Sequence, residues 1–172
     1  MEERDVTFCI TYMSLRNDDL AEAVDSVRQY YPGSQLLTQD TGGNLSLGRN
    51  LLVNRVQTPY MFLMEEDMRL GPSVDIHQLE RMLRHGCLVA GVGLYEPTDR
   101  KARSNYKIRY IAADFDDTGD NLVLRDSTRL KHLPDGGSYI AADYITNVWL
   151  GVTNQVRLVP WNESLPLAEH EN

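Results

Sequence analysis

The chain has 172 residues, 42% of them hydrophobic, and a formal net charge of −8. This length and composition predict a single soluble domain over residues 1–172 with its own core. The acidic balance excludes nucleic acid and anionic membranes as partners, because both carry negative charge. No apolar stretch approaches the roughly 20 residues of a membrane span, and the chain shows no secretion signal. We therefore predict a cytoplasmic protein without a membrane span.

Strand and helix patterns alternate in the first half of the chain. Short apolar runs predict strands, and apolar residues at helical spacing predict helices that end near Pro or Gly. The predicted elements are strands at Val6–Thr11, Gln35–Thr38, Met61–Met64 and Leu88–Leu94, and helices at Leu20–Tyr31, Leu47–Val56 and Ile76–Leu83. A strand followed by a helix, repeated in this way, is typical of an α/β fold whose mostly parallel sheet is covered on both faces.

The second half of the chain has a different pattern. Tyr106–Ala113 and Asn121–Arg125 flank a polar turn at Asp116–Asp120, which predicts a β-hairpin. Tyr139–Val152 is rich in Tyr, Ile, Val and Trp and predicts one or two further strands. The predicted sheet is therefore mixed.

The two cysteines, Cys9 and Cys87, lie in apolar surroundings and lack the paired spacing of metal ligands. Free Cys is among the most often buried residue types. We predict two buried free thiols.

An acidic triplet, Glu65-Glu66-Asp67, directly follows the third apolar run. This pattern predicts a strand that carries carboxylates to an edge of the sheet. Residues two apart on a strand point to the same face, so we expect Glu65 and Asp67 about 7 Å apart on one face and Glu66 on the other. Such a pair could hold one divalent ion at the edge where open α/β sheets bind ligands. The alternative is a solvated acidic turn after a buried strand.

An ordered set of motifs accompanies this triplet. The set comprises Thr11 and Arg16 after the first strand, Gln39-Asp40 after the second, Gly48-Arg49-Asn50 at a helix start, Glu65-Glu66-Asp67, Trp161-Asn162-Glu163 and Glu169-His170-Glu171. In this order the chain resembles the family 2 glycosyltransferases of the GT-A fold. The resemblance is greatest to the N-acetylgalactosaminyltransferase branch with its Glu-His-Glu motif, and it covers nearly the whole chain. Where that branch has Asp-Asp-Gly and Asp-x-Asp, this chain has Gln39-Asp40-Thr41-Gly42 and Glu65-Glu66-Asp67.

The resemblance implies a GT-A fold and a metal-dependent, inverting transfer of a sugar to a glycan or other hydroxyl acceptor. The donor would be a nucleotide-diphosphate sugar, with UDP-sugars favoured. A bound Mn²⁺ or Mg²⁺ would neutralise the leaving diphosphate. By resemblance Asp67 and Glu65 would be the metal ligands, and the donor-binding residues would be Thr11, Arg16, Asp40, Arg49, Asn50 and Glu65.

The resemblance also implies the general base, with Glu169 the first candidate and Glu171 the second. Alternatives remain for several residues. Asn50 could be a helix cap, Arg49 a surface ion-pair partner, and the Glu-His-Glu segment a polar tail. A different class of function is a non-catalytic GT-A module that binds a nucleotide, a glycan or a protein.

A rival motif, Asp114-Phe115-Asp116-Asp117-Thr118, matches the nucleophile segment of haloacid-dehalogenase-like phosphatases. Such an enzyme needs a full α/β domain after the motif, and the remaining chain is short and mostly strand-like. A polar turn explains the same residues.

Overall fold

The structure is a computed structural model that describes residues 1–14, 17–92, 94–99, 102–109, 112–117, 122–145 and 148–164. The chain forms two compact units. The first is built from residues up to Ala90 and from those after Thr146, and the second runs from Gly91 to Thr146. The assignment of the whole chain to one domain stays a prediction.

Four helices and twelve strands follow one another along the part of the chain that the structure describes, after a 3₁₀ turn at Glu3–Asp5. In chain order they are β1 (Val6–Tyr12), α1 (Asn17–Tyr30), β2 (Gln35–Asp40), α2 (Leu45–Arg55), β3 (Tyr60–Glu65), α3 (Ile76–Arg84), β4 (Val89–Gly91), β5 (Leu94–Asp99), β6 (Ala102–Arg109), β7 (Ala112–Asp117), β8 (Leu122–Asp126), β9 (Arg129–His132), β10 (Ser138–Ala141), β11 (Tyr144–Ile145), β12 (Trp149–Val152) and α4 (Thr153–Val156).

The central sheet has five strands in the order β2-β1-β3-β12-β4. Strand β1 runs parallel to both β2 and β3, and β12 runs antiparallel to β3. The predicted α/β class, with a mixed and mostly parallel sheet flanked by helices, is therefore confirmed. This architecture is shared by many α/β folds, and GT-A is one of them.

The two faces of β1 contact different helices. The Phe8 ring stacks on Tyr31, which directly follows α1, with 5.2 Å between the ring centroids. It also lies 4.9 Å from the Phe62 ring of β3. Thr11 is three positions further along the strand and therefore points to the opposite face. Its neighbour on β3, Glu65, is bonded to Arg49 of α2, so α2 covers that second face.

The second unit consists of antiparallel strands. Strands β5 and β6 form a pair, β9 and β10 form a second pair, and β11-β7-β8 form a three-stranded sheet. Strands β7 and β8 pair as antiparallel neighbours, as the predicted hairpin requires, but its predicted bounds are wrong. Residues 106–109 belong to β6 and pair with β5, and Asp116 and Asp117, predicted in the turn, are paired within β7. The predicted strand Leu88–Leu94 is also divided, since Val89–Gly91 lies in the central sheet and β5 starts at Leu94. Periodicity identifies a strand, whereas its pairing partner depends on contacts distant in sequence.

Within the part of the chain that is described, no helix is long and apolar enough to cross a membrane.

The two thiols lie in different surroundings. Cys9 on β1 has no exposed surface, and burial raises the pKa of its thiol to about 12. Cys87, which follows α3, is half-buried. The prediction of a buried thiol is confirmed for Cys9 but is wrong for Cys87, because the chain there lies outside the core.

We expect a thiol-specific reagent such as Ellman's reagent at pH 8 to modify Cys87 in the native protein and to leave Cys9 unmodified. The thiolate is the reactive form, and Cys9 is both protonated at this pH and inaccessible. In denaturant both should react. Counting released chromophore in wild type and in Cys87→Ser tests this, and rapid native labelling of Cys87→Ser would contradict the burial of Cys9.

Candidate functional site

The connections of the central sheet reverse direction between β1 and β3. From β1 the chain passes through α1 to β2, which is next to β1 and away from β3 in the strand order. From β3 it passes through α3 to β4, at the opposite end of the strand order. In open α/β sheets ligands bind in the crevice at such a switch point, outside the carboxyl ends of the strands. The candidate site is therefore the edge formed by the ends of β1, β2 and β3.

The strand register brings three predicted site residues to this edge. Thr11 of β1 lies opposite Gln39 of β2 on one side and opposite Glu65 of β3 on the other. Tyr12 lies opposite Asp40. Paired residues of parallel strands point to the same face, so the side chains of Thr11 and Glu65 are neighbours at the switch point.

Thr11 carries a buried polar atom at this edge. Its side chain is 1% exposed, and its Oγ1 has no hydrogen-bond partner in the part of the chain that the structure describes. An unsatisfied buried hydroxyl costs about 1–3 kcal/mol.

Asp40, at the end of β2, is oriented by the turn that follows. Its Oδ1 accepts a hydrogen bond of 3.0 Å from the N–H of Gly42. Gly42 has a φ of +55°, a conformation that favours glycine. The turn therefore holds the Asp40 carboxylate at the carboxyl edge of the sheet.

Helix α2 starts directly beyond this turn. Asn44 is its N-cap, and its Oδ1 accepts the N–H of Leu47 at 3.0 Å. The N–H of Thr41 donates to the Tyr12 carbonyl at 2.9 Å, which ties the turn to β1. A Cβ on Gly48 would lie 3.1 Å from Thr41 Cγ2 and 3.2 Å from Thr41 Cα, so glycine permits the close approach of α2.

We expect Gly48→Ala to lower the free energy of unfolding by about 1 kcal/mol, because overpacking costs about 1–3 kcal/mol and the gain in helix propensity returns at most about 1. Asn54→Ala, at an exposed position of the same helix, is the matched control and should be neutral or slightly stabilising. Urea denaturation measures both. If Gly48→Ala were more stable than wild type, Thr41 would have to move away from the new methyl group at little energetic cost.

Because α2 lies close to the sheet, the Arg49 side chain reaches Glu65. Arg49 Nη2 lies 2.8 Å from Glu65 Oε1. The Arg49 side chain is 1% exposed and that of Glu65 is 11% exposed. The alternative of an ion pair for Arg49 is confirmed, but its predicted surface position is wrong, because the pair is buried between α2 and the sheet. Whether Arg49 also contacts a donor stays a prediction.

Trp161 lies against Arg49, and Trp149 lies against Trp161. Its guanidinium carbon lies 5.7 Å from the centroid of the Trp161 ring, within the range of a cation–π contact. The Trp161 ring in turn stacks on Trp149 of β12, with 6.3 Å between centroids. The sequence identified Trp161-Asn162-Glu163 as a motif, but it carried no indication that Trp161 contacts Arg49.

Asn50 joins α2 to the Trp161-Asn162-Glu163 segment. Its Oδ1 accepts the N–H of Trp161 at 3.0 Å, and its Nδ2 donates to the Trp161 carbonyl at 2.9 Å. Nδ2 also donates to Glu163 Oε1 at 2.9 Å. The helix-cap alternative for Asn50 is wrong, since Asn44 is the cap. The predicted contact of Asn50 with a donor stays a prediction.

The acidic triplet does not continue β3. The strand ends at Glu65, whose carbonyl accepts the Met68 N–H at 3.1 Å, and Glu66 and Asp67 lie in the resulting turn. Glu66 is 6% exposed, whereas Asp67 is exposed. The strand alternation that would place Asp67 on the same face as Glu65 therefore does not hold. Both residues still lie at the carboxyl end of β3.

Arg69 attaches this turn to α1. Its Nη1 donates to the Glu66 carbonyl at 2.7 Å, and its Nη2 lies 3.0 Å from Glu22 Oε2 on the helix. The backbone that carries Asp67 is therefore held at the sheet edge, although the Asp67 side chain itself is exposed.

The predicted metal ligands, Glu65 and Asp67, are carboxylates, the hard oxygen ligands that Mg²⁺ and Mn²⁺ prefer. Among the residues that the structure describes, no group of three or more His, Cys, Asp or Glu side chains could hold a metal ion. Mg²⁺ is commonly bound by one or two carboxylates together with substrate phosphates and water. Whether Glu65 and Asp67 together hold an ion stays a prediction.

Three predicted site residues, Arg16, Glu169 and Glu171, lie outside the described residues. The donor-binding role of Arg16 and the catalytic roles of Glu169 and Glu171 stay predictions.

No protein-family model matches the chain, and no curated protein matches it. The assignment of a function therefore depends on the chemistry of the sheet edge.

The rival phosphatase motif lies within the antiparallel sheet of the second unit. Asp114, Asp116 and Asp117 belong to β7 and pair with β8. Asp114 Oδ1 accepts a hydrogen bond from Arg129, which also bonds Asp143 at 2.7 Å. The prediction of a polar turn is therefore wrong for Asp116 and Asp117, which are paired within a strand. That strand is antiparallel to its partner, which does not match a nucleophile at the end of a parallel strand.

Proposed function

We propose that this chain is a GT-A-type glycosyltransferase domain that binds a nucleotide-diphosphate sugar at the carboxyl edge of β1, β2 and β3. The observation that carries the proposal is the pairing of Thr11 with Glu65 at the switch point. Asp40 ends the neighbouring strand, and Asp67 lies in the turn that follows β3. Open α/β sheets bind nucleotides at this position.

The donor-side chemistry follows from the residue types. Glu65 and Asp67 would hold Mn²⁺ or Mg²⁺, and the ion would neutralise the charge that develops on the leaving diphosphate. The buried hydroxyl of Thr11 would donate to a ligand oxygen, and the Asp40 carboxylate would accept hydrogen bonds from the nucleotide base. A UDP-sugar is the favoured donor.

The acceptor side depends on the Glu-His-Glu segment. Glu169, or else Glu171, would remove the proton of an acceptor hydroxyl as its oxygen attacks the anomeric carbon. The bond between that carbon and the diphosphate oxygen breaks, and the configuration at the anomeric carbon inverts. The acceptor is a glycan or another molecule with a sugar-like hydroxyl.

Calorimetric titration with UDP and then GDP, each with and without Mn²⁺, tests the donor site. We expect UDP to bind in the presence of Mn²⁺ and to bind much more weakly without it. Failure of both nucleotides to bind in the presence of the metal would overturn the proposal.

Release of UDP from a panel of UDP-sugars then separates an enzyme from a binding module. An enzyme should release UDP when an acceptor or water is present. Binding without release from any donor would favour the non-catalytic module, in which the same edge holds a nucleotide or glycan but no base acts on an acceptor.

A further inference from the structure

Asn50 makes three hydrogen bonds to a segment more than a hundred residues away, at Trp161 and Glu163. Two of these bonds involve the Trp161 backbone. The Asn50 side-chain amide accepts a hydrogen bond from the Trp161 N–H and donates one to the Trp161 carbonyl. Asn44 adds a fourth bond, from its Nδ2 to the Glu163 carbonyl at 3.1 Å. Two asparagines of α2 and its cap therefore hold the 161–163 segment.

The position of Trp161 affects the candidate site through Arg49. The Arg49 guanidinium lies over the Trp161 ring and is bonded to Glu65, and its side chain is 1% exposed. The Trp161 ring and the surrounding protein shield this guanidinium from water, and it is bonded to the neighbouring Glu65 carboxylate. Its planar fork also fixes the orientation of that carboxylate more closely than a lysine would.

We propose that Asn50, Trp161 and Arg49 form a positioning relay for Glu65, and that Arg49 acts through Glu65 rather than by contacting the ligand. Asn50 holds Trp161, Trp161 supports the guanidinium, and the guanidinium orients the carboxylate at the switch point. The relay rests on the proposed function only in that Glu65 is taken to be a metal ligand.

Fluorescence tests the relay without any ligand. The chain has two tryptophans, so Trp149→Phe leaves Trp161 as the only one. In that background Asn50→Asp keeps the acceptor for the Trp161 N–H but loses both donated bonds. We expect its Trp161 emission to shift to longer wavelength and its quenching by acrylamide to increase. Asn54→Asp adds the same charge at an exposed position of α2 and should change neither.

The conservative size of Asn50→Asp protects against loss of the fold, which far-UV circular dichroism verifies. Asn50→Ala removes all three bonds and should give a larger shift than Asn50→Asp. If both Asn50 variants are folded and match Asn54→Asp in emission and quenching, the relay is overturned.

Binding of Mn²⁺ alone, measured by water proton relaxation, tests whether the relay reaches Glu65. Asn50→Asp and Arg49→Lys should weaken Mn²⁺ binding by roughly 10- to 100-fold, the loss that is typical when a partner of a metal ligand is removed. Asn54→Asp should stay within about twofold of wild type. If Arg49→Lys leaves Mn²⁺ binding unchanged and weakens only UDP binding, Arg49 contacts the nucleotide and the proposal is overturned.

The two measurements distinguish the relay from the proposed function. If the wild type binds no Mn²⁺ while the Asn50 variants still shift Trp161 emission, the metal site fails and the coupling of Asn50 to Trp161 stands. If the wild type binds Mn²⁺ and the Asn50 variants alter neither emission nor affinity, the metal site stands and the relay fails.

Discussion

Replacement of Arg49 by Met is expected to lower the free energy of unfolding by about 3–5 kcal/mol, the range found when one member of a buried ion pair is removed. Arg49 Nη2 lies 2.8 Å from Glu65 Oε1, and both side chains are largely withdrawn from water. Met fills much of the volume and keeps contact with Trp161. The expected loss therefore comes from the buried Glu65 carboxylate, which loses the guanidinium 2.8 Å from it.

Urea denaturation of three further variants isolates this effect. Arg28→Met, at an exposed position of α1, should change stability by less than about 0.5 kcal/mol. Glu65→Gln in the Arg49→Met background should recover part of the loss, because it removes the buried charge, and Glu65→Gln alone completes the double-mutant cycle. A loss below about 1 kcal/mol for Arg49→Met would show that the pair is hydrated in solution.

The largest expected effect on binding is that of Asp67→Asn. We expect it to weaken Mn²⁺-dependent UDP binding by on the order of 100-fold or more. Loss of a residue that only supports a metal ligand typically costs roughly 10- to 100-fold, and loss of a ligand itself should cost at least as much. An amide still offers an oxygen but lacks the negative charge that a hard divalent ion prefers. Asp67 is exposed in a turn, so its replacement should leave the fold intact, which far-UV circular dichroism verifies.

The same calorimetric titration applied to Asp25→Asn supplies the control. Asp25 is an exposed residue of α1 and lies outside the strand-end turns. Asp25→Asn removes the same charge as Asp67→Asn, so a general electrostatic effect would weaken UDP binding in both variants. Unchanged UDP binding by Asp67→Asn would remove Asp67 from the metal site. An equal loss in both variants would assign the effect to net charge.

Most elements of the first unit could be predicted from the sequence. The first three predicted strands and all three predicted helices occur, and the observed ends differ by only a few residues. Their signals are local, because apolar periodicity and the stop signals at Pro and Gly act within a few residues of each element. The pairing of β5 with β6 could not be predicted, since strand partners are chosen by contacts distant in sequence.

The candidate site divides in a similar way. The strand end and residue type indicated Glu65, and the resemblance indicated Thr11 and Asp40. The sheet register brings all three to one edge. The sequence also indicated Asp67, but it did not show that β3 ends at Glu65. A strand end depends on the turn that follows, here closed by the bond between the Met68 N–H and the Glu65 carbonyl.

The residue order along this chain was sufficient to predict an α/β fold and to place carboxylates at a sheet edge, because both follow from local patterns. The arrangement of Arg49, Asn50 and Trp161 depended on tertiary structure alone. Arg49 and Asn50 were both predicted to contact the donor, with a surface ion pair as the alternative for Arg49 and a helix cap as the alternative for Asn50. Folding buries Arg49 against Glu65 and bonds Asn50 to the Trp161 backbone. Burial and long-range hydrogen bonds arise only when α2, β3 and the 161–163 segment meet.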